Sequence, residues 1–177
     1  LAMWPAGTST GQEAYSLAML DAQQPARWRG WTIDILGTDV APSMIAAARQ
    51  GHYSQFQIQR GHGAIEMVTF FEETKAGWRV RDSLRRMVRF ETHNLLEAPP
   101  PPARFDLILC RNVLLYFDRS TRERAFDRLA QSLAPGGRLM LGGGETTVGQ
   151  TRVLVPEKGS SGFHALASTG GETRLRA

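Results

Sequence analysis

Residues 105–110 read FDLILC, and apart from Asp106 the run is apolar without alternation. A strand with one wet face alternates apolar and polar residues, whereas a strand covered on both faces has no reason to. This segment therefore calls for a sheet interior with helices packed above and below. The neighbouring segments agree. Residues 1–4 end a strand, and 31–38 and 87–91 are rich in strand formers. Between them, residues 11–22 place Ala14, Leu17, Ala18 and Leu20 at roughly helical spacing, and 42–50 form a short helix stopped by Gly51.

After FDLILC, Ser120 and Glu123 fit a capping box opening a helix whose apolar stripe is Ala125, Phe126, Leu129 and Leu133. Pro135, Gly136 and Gly137 are expected to stop it, and residues 138–141 make the next strand. Residues 152–155 and 163–167 read as a closing pair of strands around the turn at 159–162. The proline run 99–102 is a stiff loop. Residues 55–86 are the least legible stretch, with Phe70, Phe71, many arginines and weak periodicity. Strands alternating with helices predict one α/β domain with a mostly parallel sheet, and 177 residues suffice for its core.

Ligands of such sheets bind beyond the carboxyl ends of the strands. Five loops follow strands: 6–13, 39–42, 93–96, 111–116 and 142–146. In the first, Gly7, Ser9 and Gly11 spell G-x-S-x-G. That pattern presents a nucleophilic serine in many hydrolases, or it is a small-residue loop that lets a cofactor lie against backbone. A serine hydrolase needs an acid and a histidine downstream. Asp106 and His164 are the available pair, but Asp106 opens a buried strand, and almost nothing precedes the serine where the hydrolase fold has several strands. No Gly-Lys-Ser/Thr follows, so a phosphate loop fits poorly, and the second glycine of the dinucleotide fingerprint is replaced by Ser9. Glu13 either complements a helix dipole or faces a bound cofactor. Asp39, at the end of the next strand, either starts a helix or accepts both hydroxyls of a ribose.

Charge and composition narrow the partners. The net charge is +4 with pI about 9.8, carried almost wholly by arginine, since Lys75 and Lys158 are the only lysines. A basic balance suits nucleic acid, anionic lipid or a Glu-rich protein surface. No interleaved aromatic and basic platform of the kind that stacks bases is present, so a nucleic-acid partner is not expected. No apolar run reaches membrane-span length, so no membrane insertion is expected, and no secretory signal opens the chain. The single Cys110 excludes an internal disulfide and a multi-thiolate zinc site, and His52, His62, His93 and His164 lack ligand spacing, so no metal is expected. The chain opens at Leu1, apparently inside an apolar strand, as a fragment of something longer would.

Five segments in order, AGTSTGQEAYSLAML, ILGTDVAPSMIAAARQGHY, THNLL, FDLILCRNVLLYFD and LAPGGRLMLGGGET, resemble the bacterial chemotaxis receptor methyltransferases over roughly residues 3–167. CRNVLLYFD is the most specific. The resemblance implies a Rossmann-like class I methyltransferase fold with a seven-stranded, mostly parallel sheet and helices on both faces. It implies a cytoplasmic enzyme that takes methyl from S-adenosylmethionine, releases S-adenosylhomocysteine, and esterifies glutamate side chains on the cytoplasmic helices of chemoreceptors. By the same resemblance Ala6, Gly7 and Ser9 form the cofactor cradle, which makes Ser9 a small residue and not a nucleophile. Glu13 approaches the cofactor, Asp39 binds the ribose, and Asn94 and Leu95 border the adenine. Arg111, Asn112 and Tyr116 stand beside the methyl-transfer site, with Tyr116 nearest the chemistry.

The chemistry agrees with the residues. A glutamate carboxylate with a pKa of about 4.3 is ionised at neutral pH. Alignment and desolvation are then the enzyme's task, and no strong base is required. Arg111 either holds the acceptor carboxylate, holds the methionine carboxylate of the cofactor, or forms a surface ion pair. Tyr116 either hydrogen-bonds a reacting oxygen or packs under the following helix.

Three positions depart from the family pattern. Gln12 replaces the first of two adjacent acids, Ala14 replaces a proline, and GGGET (residues 142–146) replaces GHSES. The family's N-terminal helical domain, whose linker closes the cofactor site with an arginine, is not among these residues, so the expectation is weaker cofactor binding and little turnover from this chain alone. The resemblance also implies a small inserted subdomain around 55–90, whose arginines at 79–89 either steer the domain toward acidic receptor helices or form a solvated basic face. Two other functions share the fold: a non-catalytic binder of S-adenosylmethionine or its product acting in signalling, and a methyltransferase for another acceptor. Oligomeric state is not legible.

Overall fold

The structure is a computed structural model that describes residues 1–59 and 63–167. His62, one of the four scattered histidines, lies outside the described residues. In chain order the elements are β1 (Ala2–Pro5), α1 (Gln12–Gln23), β2 (Asp34–Asp39), α2 (Pro42–Gln50), β3 (His52–Tyr53), α3 (Gln55–Gln59), α4 (Ala64–Phe70), β4 (Phe71–Thr74), β5 (Gly77–Val80), α5 (Asp82–Arg85), β6 (Val88–Thr92), β7 (Phe105–Cys110), a 3-10 turn (Leu114–Tyr116), α6 (Arg119–Ser132), β8 (Leu133–Leu141), β9 (Leu154–Pro156) and β10 (Phe163–Leu166).

Seven strands form one sheet in the order β6-β2-β1-β7-β8-β10-β9. The run from β6 to β8 is parallel, and β10 enters antiparallel to both of its neighbours. The seven-stranded, mostly parallel sheet expected from the sequence is therefore present. Its two faces carry separate cores. Met3 and Ile35 face α1 and α2 and pack with Ala14, Tyr15, Ile45 and Phe90. Their chain neighbours Trp4 and Leu36 face the other way and pack with Phe105, Ile108, Phe126 and Leu129, the last two from α6. Successive strand side chains point to opposite faces, so adjacent apolar residues feed both cores. Each fully buried large side chain contributes about 1.5–3 kcal/mol.

FDLILC forms β7, between β1 and β8, as its unbroken apolar character requires. Asp106, its one polar member, is exposed and accepts a hydrogen bond from the Ala2 N–H. α2 starts with Pro42 in its first turn and ends on Gly51 at φ 63. Two local expectations fail. The N-cap of α6 is Asp118, whose carboxylate accepts from the Thr121 N–H at 2.8 Å, while Glu123 pairs with Arg119 instead of closing a box on Ser120. An ionised acceptor two residues earlier outcompetes a serine for the free helix N–H groups. The helix also ends at Ser132, before Pro135, and Pro135, Gly136 and Gly137 lie inside β8. The register shift between Phe105 and Leu107 absorbs that irregular segment.

The illegible stretch holds a second sheet, three-stranded and antiparallel, in the order β3-β5-β4. Its strands have two to four residues, and short helices interrupt them, so no periodicity had room to develop. Tyr53 of β3, buried against Phe71, donates its hydroxyl to the Thr10 carbonyl at 2.7 Å. That bond ties the small sheet to the loop after β1.

Candidate functional site

The loops after β1, β2, β6, β7 and β8 meet at the carboxyl edge of the sheet. The first loop is stitched down by backbone. Ala6 is buried and bridges Thr38, and the N–H groups of Gly7 and Thr8 both donate to the Thr38 carbonyl at 2.8 Å. Gly7 has φ 76, and a Cβ there would overlap Cγ2 of Val113 in the loop after β7. Ser9 sits at φ 51 and Gly11 at φ 91. Only glycine takes this conformation freely, so the loop's composition is the condition for its path. The result is a close, small-residue cradle with backbone facing the sheet edge.

Ser9 is not set up as a nucleophile. Its hydroxyl faces the Met44 sulfur at 3.8 Å. His164, on β10, has its Nδ1 by the Gly162 carbonyl, and Asp106 is held at Ala2. Cys110 is fully buried, which pushes its thiol pKa up and keeps it unreactive.

Asp39 stands at the start of α2 and also holds the loop after β1. One carboxylate oxygen accepts from the Ala41 N–H at 3.0 Å, just ahead of α2, and the other from the Ser9 N–H at 2.9 Å. A carboxylate has about four acceptor positions, so each oxygen keeps one for a ligand. The His93 N–H donates to the Asp39 carbonyl, which brings the loop after β6 alongside. There the Asn94 side-chain oxygen accepts from the Leu96 N–H at 3.1 Å. The Leu95 side chain belongs to the core with Trp4 and Leu36, so this residue offers a ligand chiefly its backbone.

Between the loop after β7 and the first turn of α1, Arg111 and Glu13 form an ion pair at 2.5 Å, with side chains 40% and 27% exposed. Burial raises the Glu13 pKa above the ordinary glutamate value, Arg111 opposes that shift, and nearby Glu145 adds to it. Asn112 takes φ 59, a conformation asparagine tolerates better than most residues. Tyr116 is 79% exposed, so the alternative of an aromatic packed under α6 is excluded. Gln12, the departure from the two-acid pattern, lies on the exposed side of α1, where Thr10 donates to it.

Two residues that sequence reasoning passed over organise this edge. Glu145, in the turn after β8, accepts backbone N–H bonds from Asn112, Val113, Leu114 and Gly142 at 2.8–3.0 Å. Arg122 of α6 donates to the carbonyls of Leu114 and Phe117 at 3.0 and 2.7 Å. The signal available for Glu145 was an acid ending a three-glycine turn beyond a strand. Arg122 gave none, because one arginine among several on a helix is ordinary.

The arginines of 79–89 are largely occupied within the fold. Arg81 donates to the Val68 carbonyl, Arg85 to the Arg49 carbonyl and to Asp82, and Arg89 to Asp34 and Glu91. Arg86 is exposed. Among the described residues, no cluster of His, Cys, Asp or Glu could hold a metal ion, and no helix is long and apolar enough to cross a membrane.

Residues 1–163 match the family described as CheR methyltransferase, SAM binding domain. A chemotaxis protein methyltransferase of Vibrio parahaemolyticus is 38% identical over 152 residues, covering 84% of this chain and 55% of that protein. Chemotaxis protein methyltransferase 1 of Pseudomonas aeruginosa is 34% identical over 149 residues, covering 82% and 54%. This chain thus spans about half the length of these relatives. Among solved structures, the glycopeptide N-methyltransferase MtfA complexed with sinefungin superposes with a TM-score of 0.50 at 14% identity, covering 79% of this chain and 45% of that one, a likeness of fold alone.

Proposed function

This chain belongs to the CheR methyltransferase SAM-binding domain family, and on that premise we propose that it binds S-adenosylmethionine at the edge of β1, β2 and β7 and methylates glutamate carboxylates of chemotaxis receptors. The observation that carries the reading is the convergence of two opposed features on one cleft: a glycine cradle closed against Val113, and the Glu13–Arg111 pair beside it.

The residues present fit the cofactor. Gly7 lets Val113 pack directly on its backbone, which brings the loops after β1 and β7 together at the edge where the cofactor is placed. Asp39 retains acceptor capacity for the two ribose hydroxyls, and the backbone of Asn94 and Leu95 borders the base. Glu13 and Arg111 match the ammonium and carboxylate of a free amino-acid end, one charge each. Asn112 lines the same loop. S-adenosylmethionine, when bound, would supply a methyl group on a sulfonium, open to in-line attack by an ionised carboxylate with S-adenosylhomocysteine as the leaving group.

What the chain itself does is bind, orient and exclude water. The acceptor glutamate arrives ionised, its pKa being about 4.3, so no side chain has to remove a proton. The exposed Tyr116 donates its O–H to one acceptor oxygen and leaves the other free to attack. Arg111 fixes the methionine end, which sets the direction of approach. The inserted sheet β3-β5-β4 and the exposed Arg86 meet the acidic receptor helices. The whole is one domain with that sheet as an inserted subdomain.

The test is methyl transfer from labelled S-adenosylmethionine to a cytoplasmic receptor fragment. Base-labile label on the protein is the signature of a carboxyl ester. Base-stable label would point to another acceptor, and binding without transfer would point to a signalling relative.

A further inference from the structure

We propose that Glu145 is a positioning residue for methyl transfer, the internal anion around which the loop carrying Arg111 and Tyr116 is folded. The inference rests on the reading of that loop given above.

Three consecutive backbone N–H groups, of Asn112, Val113 and Leu114, converge on one carboxylate, and Gly142 supplies a fourth. Consecutive amides converge on one anion where the backbone alternates between left- and right-handed conformations, which creates an anion nest. Asn112 at φ 59 followed by Val113 at φ −112, ψ −51 is that alternation. The strained residue and the acid that rewards the strain belong together.

Several side chains at the functional end of the loop face away from the core. Arg111 points to Glu13, Asn112 is exposed and Tyr116 stands in solvent. Only Val113, against Gly7, and the buried Leu114 grip by packing. Glu145 takes the loop's donors, and Arg122 takes its acceptors at Leu114 and Phe117. Gly142 is part of the same device, because a Cβ there would stand 2.8 Å from the Glu145 carboxylate and 3.0 Å from the Asn112 nitrogen. With four bonds accepted, Glu145 has no lone pair left for a substrate. Its effect passes through Arg111 and Tyr116.

Glu145→Gln keeps the shape but turns an NH2 group toward two of the four donors. Amide exchange at Asn112, Val113 and Leu114, measured without cofactor, is expected to speed up about tenfold or more while β1 and β7 stay protected. Methyl transfer is expected to fall about 100-fold, the scale of a misplaced reacting group. Combined with Tyr116→Phe the loss should be clearly smaller than the product of the two single losses, because part of each passes through the same contact. Unchanged exchange at the three amides would overturn the proposal, and so would penalties that multiply in the double variant. Should Glu145→Gln fail to fold, Arg122→Gln loosens the same loop from its carbonyl side and must show the same non-additivity with Tyr116→Phe. The transfer assays are run with the family's N-terminal helical domain joined to this chain; if that protein transfers no methyl, the functional reading falls, and the exchange experiment still decides whether Glu145 holds the loop.

Discussion

Arg111 and Glu13 are separated by 98 residues of sequence and by 2.5 Å in space. The pair links the loop after β7 to the first turn of α1, and of the three readings open to Arg111 it is the ion pair that the structure contains. Even so, the Glu13 pKa is raised above the ordinary glutamate value. Burial penalises the carboxylate more than the guanidinium rewards it.

That shift gives a pH dependence to binding. A raised pKa means Glu13 is protonated further up the pH scale than an ordinary glutamate. An ammonium partner requires the ionised form, so affinity for S-adenosylhomocysteine should weaken as pH falls through the window above the ordinary value. Titration across that range checks this. Glu13→Gln should bind more weakly at neutral pH and lose the dependence, and Arg111→Ala should cost about 1.5–3 kcal/mol of affinity.

Gly7 and Gly30 both have positive φ, but only Gly7 faces a neighbour, Val113. Gly30→Ala should cost only the conformational penalty of about 1 kcal/mol. Gly7→Ala should cost distinctly more, because Val113 must move and its loop with it. Denaturant unfolding of the two variants measures the difference.

Burial lowers the pKa of both His93 and His164. A base with a depressed folded pKa favours folding above its ordinary value of about 6.5, and that stability is lost as pH falls through the folded pKa. Unfolding free energy should therefore decline on acidification below neutrality. His164→Gln should flatten the slope, which denaturant melts across pH 5–7 would read.

In the basic stretch, Arg85 and Arg86 should separate. Arg85 holds the Arg49 carbonyl and Asp82, so reversing its charge should lower the melting temperature. Arg86 is exposed, so Arg86→Glu should leave the fold intact and slow association with an acidic receptor fragment at low salt. Equal association rates with and without the reversal would remove steering from the account.

The legible parts of this chain are those with long-range consistency. FDLILC marked β7 because burial on both faces leaves a continuous apolar run. Residues 42–50 marked α2 because Pro42 and Gly51 punctuate it. The start of α6 was misread because Asp118 and Ser120 compete for the same N–H groups, and only the folded backbone decides between them. The sheet β3-β5-β4 left no periodicity, because strands of two to four residues carry no period, and only the family resemblance pointed to a subdomain there. In the site, Glu13, Asp39 and Arg111 stood out as charges in loops after strands. Their pairing did not, and neither did the grip of Glu145 on three backbone amides, since backbone acceptors and donors have no letter in a sequence.

The account rests most directly on the cradle at Asp39. Calorimetric titration of S-adenosylhomocysteine into this chain and into Asp39→Ala, each checked by thermal melting, tests it. The account predicts saturable binding by the wild type, weakened by about 1–3 kcal/mol in the variant. No binding by the folded wild-type chain, or equal affinity in a folded Asp39→Ala, would contradict it.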